Sequence, residues 1–125
     1  MTLVEVLGSR VLVRSRDPER ARAFYRDVLG LAVYREFPGG TVFFLGGGFL
    51  EVSGRSEDGP TGAVELWLQV RDLRAAAGEL AEHVVREPRR EPWGLDEMWV
   101  QDPDGLRIVL VEVPAEHPLR RDVRE

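Results

Sequence analysis

The chain has 125 residues, of which 43% are hydrophobic and 31% are charged, and these values are ordinary for one globular domain. Its net charge of −5 disfavours nucleic acid as a partner, because phosphates attract basic surfaces. The absence of cysteine excludes disulfides, thiolate metal sites and a cysteine nucleophile. No apolar run approaches membrane-spanning length, so we expect a cytoplasmic protein that does not associate with a membrane.

The first half of the chain predicts a strand, a helix and three further strands. Residues 9–15 alternate between apolar and polar side chains, which is the pattern of a strand with one buried face. Asp17 and Pro18 then begin a helix that ends at Gly30. Glycine-rich turns separate three more predicted strands, at 32–36, 41–45 and 49–53. The polar segment 54–62 reads as a linker.

The second half repeats this order. A strand is predicted at 64–70, and Asp72 caps a helix whose apolar stripe runs to Val84. Residues 86–90 are too charged for a core strand, although Val84 and Val85 can start a short one. Two final strands, at 98–101 and 106–111, flank the turn Asp102-Pro-Asp-Gly105.

The two halves are copies of one supersecondary unit. Each first strand ends in Arg-Asp, at Arg16-Asp17 and Arg71-Asp72, and each is followed by a helix. A repeat of this size does not bury its apolar face alone, so the two copies should pack together. The other face of each first strand carries Arg, Glu, Gln or Trp, which predicts a ligand groove between the copies.

Three segments carry a resemblance to a known family. They are the run from Val11 to Leu31, which includes Phe-Tyr and Val-Leu-Gly-Leu, the pair Trp93-Gly94, and Asp102-Pro-Asp-Gly105. This pattern resembles the vicinal oxygen chelate superfamily of glyoxalase I, the extradiol dioxygenases and the bleomycin-resistance proteins. The resemblance implies an α+β fold of two βαβββ modules, about 1–57 and 58–125, in one domain. Their curved mixed sheets would enclose a cavity, often within a homodimer.

The resemblance also identifies four positions at which family enzymes hold a divalent metal. Here they are occupied by Arg10, Glu51, Glu65 and Val109. Arginine stays protonated and has no lone pair to offer, and valine has no donor atom. We therefore expect no metal and no cofactor, and we expect Arg10 to pair with Glu51 or Glu65.

Arg14 and the three tryptophans are further candidates for ligand contact. Arg14 shares a face with Arg10 and either binds an anionic group of the ligand or is a second partner for the two glutamates. Trp67, Trp93 and Trp99 either form a stacking surface in the groove or are ordinary core aromatics.

The sequence thus predicts a metal-independent small-molecule-binding protein similar to the bleomycin-resistance branch, which sequesters antibiotics without chemistry. We expect it to bind a small molecule, to form a homodimer, and to use a common set of ligand-binding residues: Arg10, Arg14, Glu51, Glu65, Trp67, Trp93 and Trp99. The alternative is a divalent-metal-dependent lyase, isomerase or dioxygenase of the same superfamily that uses Glu51 and Glu65. A third interpretation is a dimerisation module with a collapsed cavity. Whether the protein is an enzyme stays open, and no catalytic residue is assigned.

Overall fold

A computed structural model describes residues 5–60 and 63–118. The chain divides into two compact units, Met1–Pro60 and Thr61–Glu125, and the division falls within the predicted linker. Residues 61 and 62 of that linker lie outside the described part of the chain. Within the described residues, no helix is both long and apolar enough to cross a bilayer.

Unit 1 is a four-stranded mixed sheet with one helix. Strand β1 runs parallel to β4, and the other neighbours are antiparallel in the order β1-β4-β3-β2. The elements are β1 (Arg10–Ser15), α1 (Pro18–Ala23), a π-helical turn (Phe24–Val28), β2 (Val33–Phe37), β3 (Gly40–Leu45) and β4 (Gly48–Arg55).

Helix α1 begins where the sequence predicts, because the Asp17 side chain accepts a hydrogen bond of 3.2 Å from the Arg20 amide. The predicted helix changes to a π-helical turn at Phe24 instead of continuing as α-helix. Phe24 and Tyr25 are buried there, and the Tyr25 ring lies 6.3 Å from that of Phe43 on β3. The helix therefore covers the face of the sheet that carries Phe43.

Unit 2 repeats the architecture in the order β5-β8-β7-β6, again with a parallel first pair. The Asp72 side chain caps its helix by accepting a hydrogen bond of 3.0 Å from the Ala75 amide. The elements are β5 (Glu65–Gln69), α2 (Leu73–Glu79), a 3-10 turn (Ala81–His83), β6 (Val84–Arg90), β7 (Asp96–Gln101) and β8 (Arg107–Glu112). The predicted α+β fold of two βαβββ modules is confirmed.

The helical stripe predicted to run to Val84 is wrong, because helix α2 ends at Glu79. The prediction that Val84 and Val85 can start a strand is confirmed, since β6 begins at Val84. Residues 86–90, predicted to be too charged for a core strand, continue that strand to Arg90. Strand β6 lies at the edge of its sheet, where charged side chains and a proline such as Pro88 are tolerated.

Candidate functional site

Sheet 1 has a second face, which α1 does not cover and which we call the helix-free face of sheet 1. Residues directly opposite each other on neighbouring strands point to the same side, so the register assigns this face. Its members on the three strands β1, β3 and β4 are Arg10, Leu12, Val42, Phe44, Phe49 and Glu51. The alternation predicted for the first strand places Arg10 and Arg14 on this side, as expected from the sequence.

A four-residue hydrogen-bonded network lies on this face. Arg10 Nη1 donates to Glu51 Oε1 at 2.7 Å, which confirms the predicted pairing of Arg10 with a glutamate. The Ser53 hydroxyl donates to Glu51 Oε2 at 2.7 Å. Arg14 Nη1 in turn donates to the carbonyl and hydroxyl oxygens of Ser53, both at 2.9 Å. Arg14 therefore reaches Glu51 through Ser53.

Ser53 and Arg14 both affect the pKa of the Glu51 carboxyl group. The Ser53 hydroxyl and the Arg10 guanidinium lower the pKa of Glu51 below its ordinary value, and the charge of Arg14 acts in the same direction against partial burial. Glu51 is therefore held as a carboxylate with both oxygens engaged. Sequence reasoning missed Ser53, although its position two residues after Glu51 on the same strand was a usable signal.

Replacing Glu51 with glutamine is expected to destabilise the protein in a pH-dependent way. Because the folded-state pKa of Glu51 is depressed, its contribution is complete above the ordinary value of 4.5 and is lost as the pH falls through the lower folded value. Urea titrations at several pH values should show the difference between wild type and Glu51→Gln shrinking with acid. Glu36→Gln is the control, because it also removes one carboxylate. A loss of stability in Glu36→Gln of the same size and with the same pH dependence would contradict the prediction.

Three aromatic rings cluster beside this network, and sequence reasoning did not single them out. The Tyr34 ring lies 5.2 Å from that of Phe44 and 4.7 Å from that of Phe49, and the last two are 5.7 Å apart. Tyr34 is 49% exposed and Phe44 45% exposed. Phe49 is the register partner of both Arg10 and Phe44, so the cluster adjoins the network.

The helix-free face of sheet 2 is assigned in the same way. Helix α2 covers the face of the sheet that carries Glu112, whose carboxylate accepts a hydrogen bond of 2.9 Å from the Leu73 amide. The opposite face carries Glu65, Trp67, Trp99 and Val109, as the register shows. Trp67 is 49% exposed.

Glu65 pairs with a residue that the sequence analysis did not name. Its Oε2 accepts from Arg107 Nη1 at 3.2 Å, in an exposed ion pair between adjacent strands. Such exposed pairs contribute little stability. Because both side chains are exposed, the carboxylate remains available to solvent.

Trp99 is enclosed by two guanidinium groups. Arg86 lies 4.2 Å and Arg107 3.9 Å from the ring centroid, and the two arginines come from the strands on either side of β7. These are cation–π distances. A ligand would therefore meet the Arg86 and Arg107 side chains together with the ring.

Trp93 lies in the turn before β7 and remains 58% exposed. Its indole N–H donates a hydrogen bond of 2.8 Å to Glu97 Oε2, and its backbone carbonyl oxygen lies 3.1 Å from the Nε2 atom of His117. Glu97 is itself buried. Trp93 is thus a largely exposed aromatic, oriented by a hydrogen bond to a buried carboxylate, and it is not part of the core.

The four family metal positions do not fit a metal in this chain. Both oxygens of Glu51 already accept hydrogen bonds, one of them from the cation Arg10. Val109 has no donor atom and lies in a buried apolar cluster. The donor set is thus reduced to Glu65, and no step of a reaction is assigned to a metal here.

Duplicated βαβββ modules, each with a helix-covered face and a face of polar and aromatic side chains, define the paired-module α+β class. The chain belongs to the glyoxalase/bleomycin resistance protein/dioxygenase superfamily, whose family model matches residues 9–110. No match was found among curated proteins.

Solved structures share the fold. An antibiotic-binding protein from Streptomyces superposes with a TM-score of 0.75 at 23% identity, covering 90% of this chain and 100% of that one. A glyoxalase/bleomycin resistance protein/dioxygenase from Nocardioides has a TM-score of 0.75 at 17% identity, with coverages of 94% and 90%. Lactoylglutathione lyase from Agrobacterium tumefaciens has a TM-score of 0.67 at 21% identity, with coverages of 90% and 96%.

Proposed function

We propose that this protein is a metal-independent small-molecule-binding protein of its superfamily, and that it sequesters its ligand without chemistry. The observation that carries the proposal is the Arg10–Glu51 ion pair at two of the four family metal positions. An arginine there offers its remaining N–H donors to a ligand and has no lone pair for a metal. We further propose that the protein acts in the cytoplasm as a homodimer.

The ligand-binding residues in this proposal are those that the sequence indicated, read with their observed partners. On sheet 1, Arg10 and Arg14 offer donors and Glu51 holds them in place. On sheet 2, Glu65 offers an accessible carboxylate, and the exposed rings of Trp67 and Trp93 offer stacking surface. Trp99 contributes its ring together with the two guanidiniums over it. An antibiotic-binding protein from Streptomyces has the same fold, which supports the proposal.

The second candidate function is an enzyme of the superfamily, a lyase, isomerase or dioxygenase that uses Glu51 and Glu65. The exposed carboxylate of Glu65 favours it, because its ion pair with Arg107 leaves it accessible to a substrate proton. The fold is also found in lactoylglutathione lyase from Agrobacterium tumefaciens.

The experiment that separates the two candidates combines metal analysis with ligand titration. Protein purified without chelator should hold Zn, Ni, Mn and Fe far below one equivalent per chain. A panel of planar antibiotics and aromatic acids should quench tryptophan emission, because Trp67 and Trp93 are exposed enough to meet a ligand. Light scattering on the same samples reports the dimer.

Two outcomes would overturn the proposal. One equivalent of a transition metal that is lost in a Glu65→Ala variant would favour the enzyme. If no compound of the panel binds and tryptophan emission stays unchanged throughout, the third interpretation, a dimerisation module, explains the protein better.

A further inference from the structure

A cleft of about 890 Å³ lies between helix α2 and strand β6. It opens on the side of sheet 2 that α2 covers, because Glu112 and the helix residue Ala77 both line it. The cleft is therefore not part of either helix-free face, and none of the ligand-binding residues of the proposed function lines it. Small-molecule sites have volumes of roughly 300–1,000 Å³, so the cleft has room for a ligand.

The sequence of α2 and the shape of β6 explain why this space is open. After the buried Leu73, the helix carries one arginine, three alanines and a glycine, so no large apolar side chain of this stretch fills the space toward β6. The register of β6 is irregular between Arg86 and Arg89, and such a bulge bends a strand. Leu73, Ala77 and Pro88 give the cleft an apolar lining between its two walls.

Several charged groups along the cleft are already engaged within the protein. Arg90 donates from Nε and Nη2 to the two carboxylate oxygens of Asp96, at 2.6 and 3.3 Å. The carboxylates of Asp72 and Glu112 accept hydrogen bonds from backbone amides of α2, at 3.0 and 2.9 Å. These four side chains hold the helix and the strands in place, so we do not assign them to a ligand.

Three charged side chains of the cleft have no such partner. Within the described residues, Arg71 and Arg74 on the helix wall and Glu87 on the β6 wall are exposed and make no side-chain hydrogen bond or ion pair. Arg89 does not add to them, because it is the register partner of Glu97, which lies on the other side of the sheet. Two cations therefore line one wall and a carboxylate lines the other, and they do not reach each other.

We propose that this cleft binds a dipolar ion in which an apolar spacer separates a carboxylate from an ammonium group, as in an ω-amino acid. The carboxylate is bound by Arg71 and Arg74, the ammonium group by Glu87, and the spacer lies on the apolar lining. A guanidinium can bind a carboxylate through two parallel charge-assisted hydrogen bonds. A simple anion would match only the helix wall and a simple cation only the β6 wall. This site is independent of the proposed function, which uses other residues.

Calorimetric titration of the full chain with β-alanine, γ-aminobutyrate, ε-aminocaproate and ω-aminocaprylate tests the proposal. These compounds differ only in the length of the spacer, and both charges bind at once only when the spacer matches the separation of the walls. Affinity should therefore depend on spacer length. The alkanoate and the alkylamine of the same length as the tightest ligand should each bind about tenfold more weakly, because each lacks one charge-assisted contact.

Variants of the two walls test the assignment of the residues. Glu87→Gln should reduce the affinity for the tightest dipolar ion to that of the alkanoate, because both lack the contact with the ammonium group. Arg71→Gln combined with Arg74→Gln should reduce it to that of the alkylamine. Glu79→Gln and Arg20→Gln are the matched controls, since both residues are exposed and neither lines the cleft. Urea unfolding should be similar for all these variants, because the substitutions are on the surface.

Three results would overturn the inference. It falls if no ω-amino acid of the series binds, if the alkanoate or the alkylamine binds as tightly as the dipolar ion of the same length, or if a control variant weakens binding as much as the wall variants do. The proposed function is tested separately by tryptophan emission, because the described residues that line the cleft include no tryptophan. Quenching by a compound of the antibiotic panel without binding of any ω-amino acid would remove only this inference, and the reverse result would remove only the proposed function.

Discussion

Replacing Glu91 with alanine is expected to lower the free energy of unfolding by about 2–3 kcal/mol, because it breaks a buried ion pair from one side. The Glu91 side chain is only 3% exposed, and it accepts a hydrogen bond from Arg86 Nη2, whose side chain is 17% exposed. Arg89 approaches the same oxygen at 3.4 Å. Without Glu91, the Arg86 guanidinium stays largely buried with its charge uncompensated.

The pKa of Glu91 shows the balance of forces in this pair. Burial is the largest single influence and raises the pKa, but the hydrogen bond and charge of Arg86, together with Arg89, outweigh it. The net pKa is lower than the ordinary value, so Glu91 is charged in the folded protein at neutral pH. Its stabilising contribution is present above the ordinary pKa and is lost as the pH falls through the depressed one.

Urea denaturation of Glu91→Ala and Glu87→Ala measures the effect. Glu87 is an exposed glutamate of β6, four residues before Glu91, and its loss should change stability by less than about 0.5 kcal/mol. Because Arg86 also lies over the Trp99 ring, Glu91→Ala should shift tryptophan emission while Glu87→Ala does not. Equal stability of the two variants would show that Arg86 finds another acceptor or moves into solvent.

Local sequence signals were sufficient to predict the duplicated fold. Asp17 and Asp72 each cap a helix directly after a strand, and strict alternation in β1 assigned Arg10 and Arg14 to one face. These features depend on neighbours within about four residues, which is the range over which caps and periodicity act. The prediction that Arg10 pairs with Glu51 or Glu65 followed from the resemblance to the family and not from local pattern, and the structure selects Glu51.

The errors and omissions come from interactions between distant residues. Residues 86–90 read as too charged for a core strand because their partners, such as Asp96 for Arg90 and the Trp99 ring for Arg86, lie on the next strand. The aromatic cluster was missed because an irregularity in the β2–β3 register lies between Val33 and Arg35. Period-two alternation fails at such a bulge, so the side of Tyr34 was not readable from sequence.

A Gly40→Ala substitution is expected to destabilise the protein by about 1–3 kcal/mol through overpacking. Gly40 is buried and lies opposite Ser53 in the register. A Cβ atom at Gly40 would lie 2.6 Å from Ser53 Cβ and 2.7 Å from Phe37 Cζ. The Phe37 ring can turn aside, but Ser53 Cβ is fixed to the strand, so β3 and β4 must shift where Ser53 holds Glu51 and Arg14.

Gly47→Ala is the matched control for this substitution. Nothing lies within 4 Å of a Cβ at Gly47, and its backbone conformation suits any residue. Alanine also reduces the freedom of the unfolded chain, which favours both variants by about 0.4–1 kcal/mol. Gly47→Ala should therefore be neutral or slightly stabilising, while Gly40→Ala unfolds at lower urea. If Gly40→Ala matches the control, the strand pair accommodates a methyl group and Ser53 does not depend on close packing for its position.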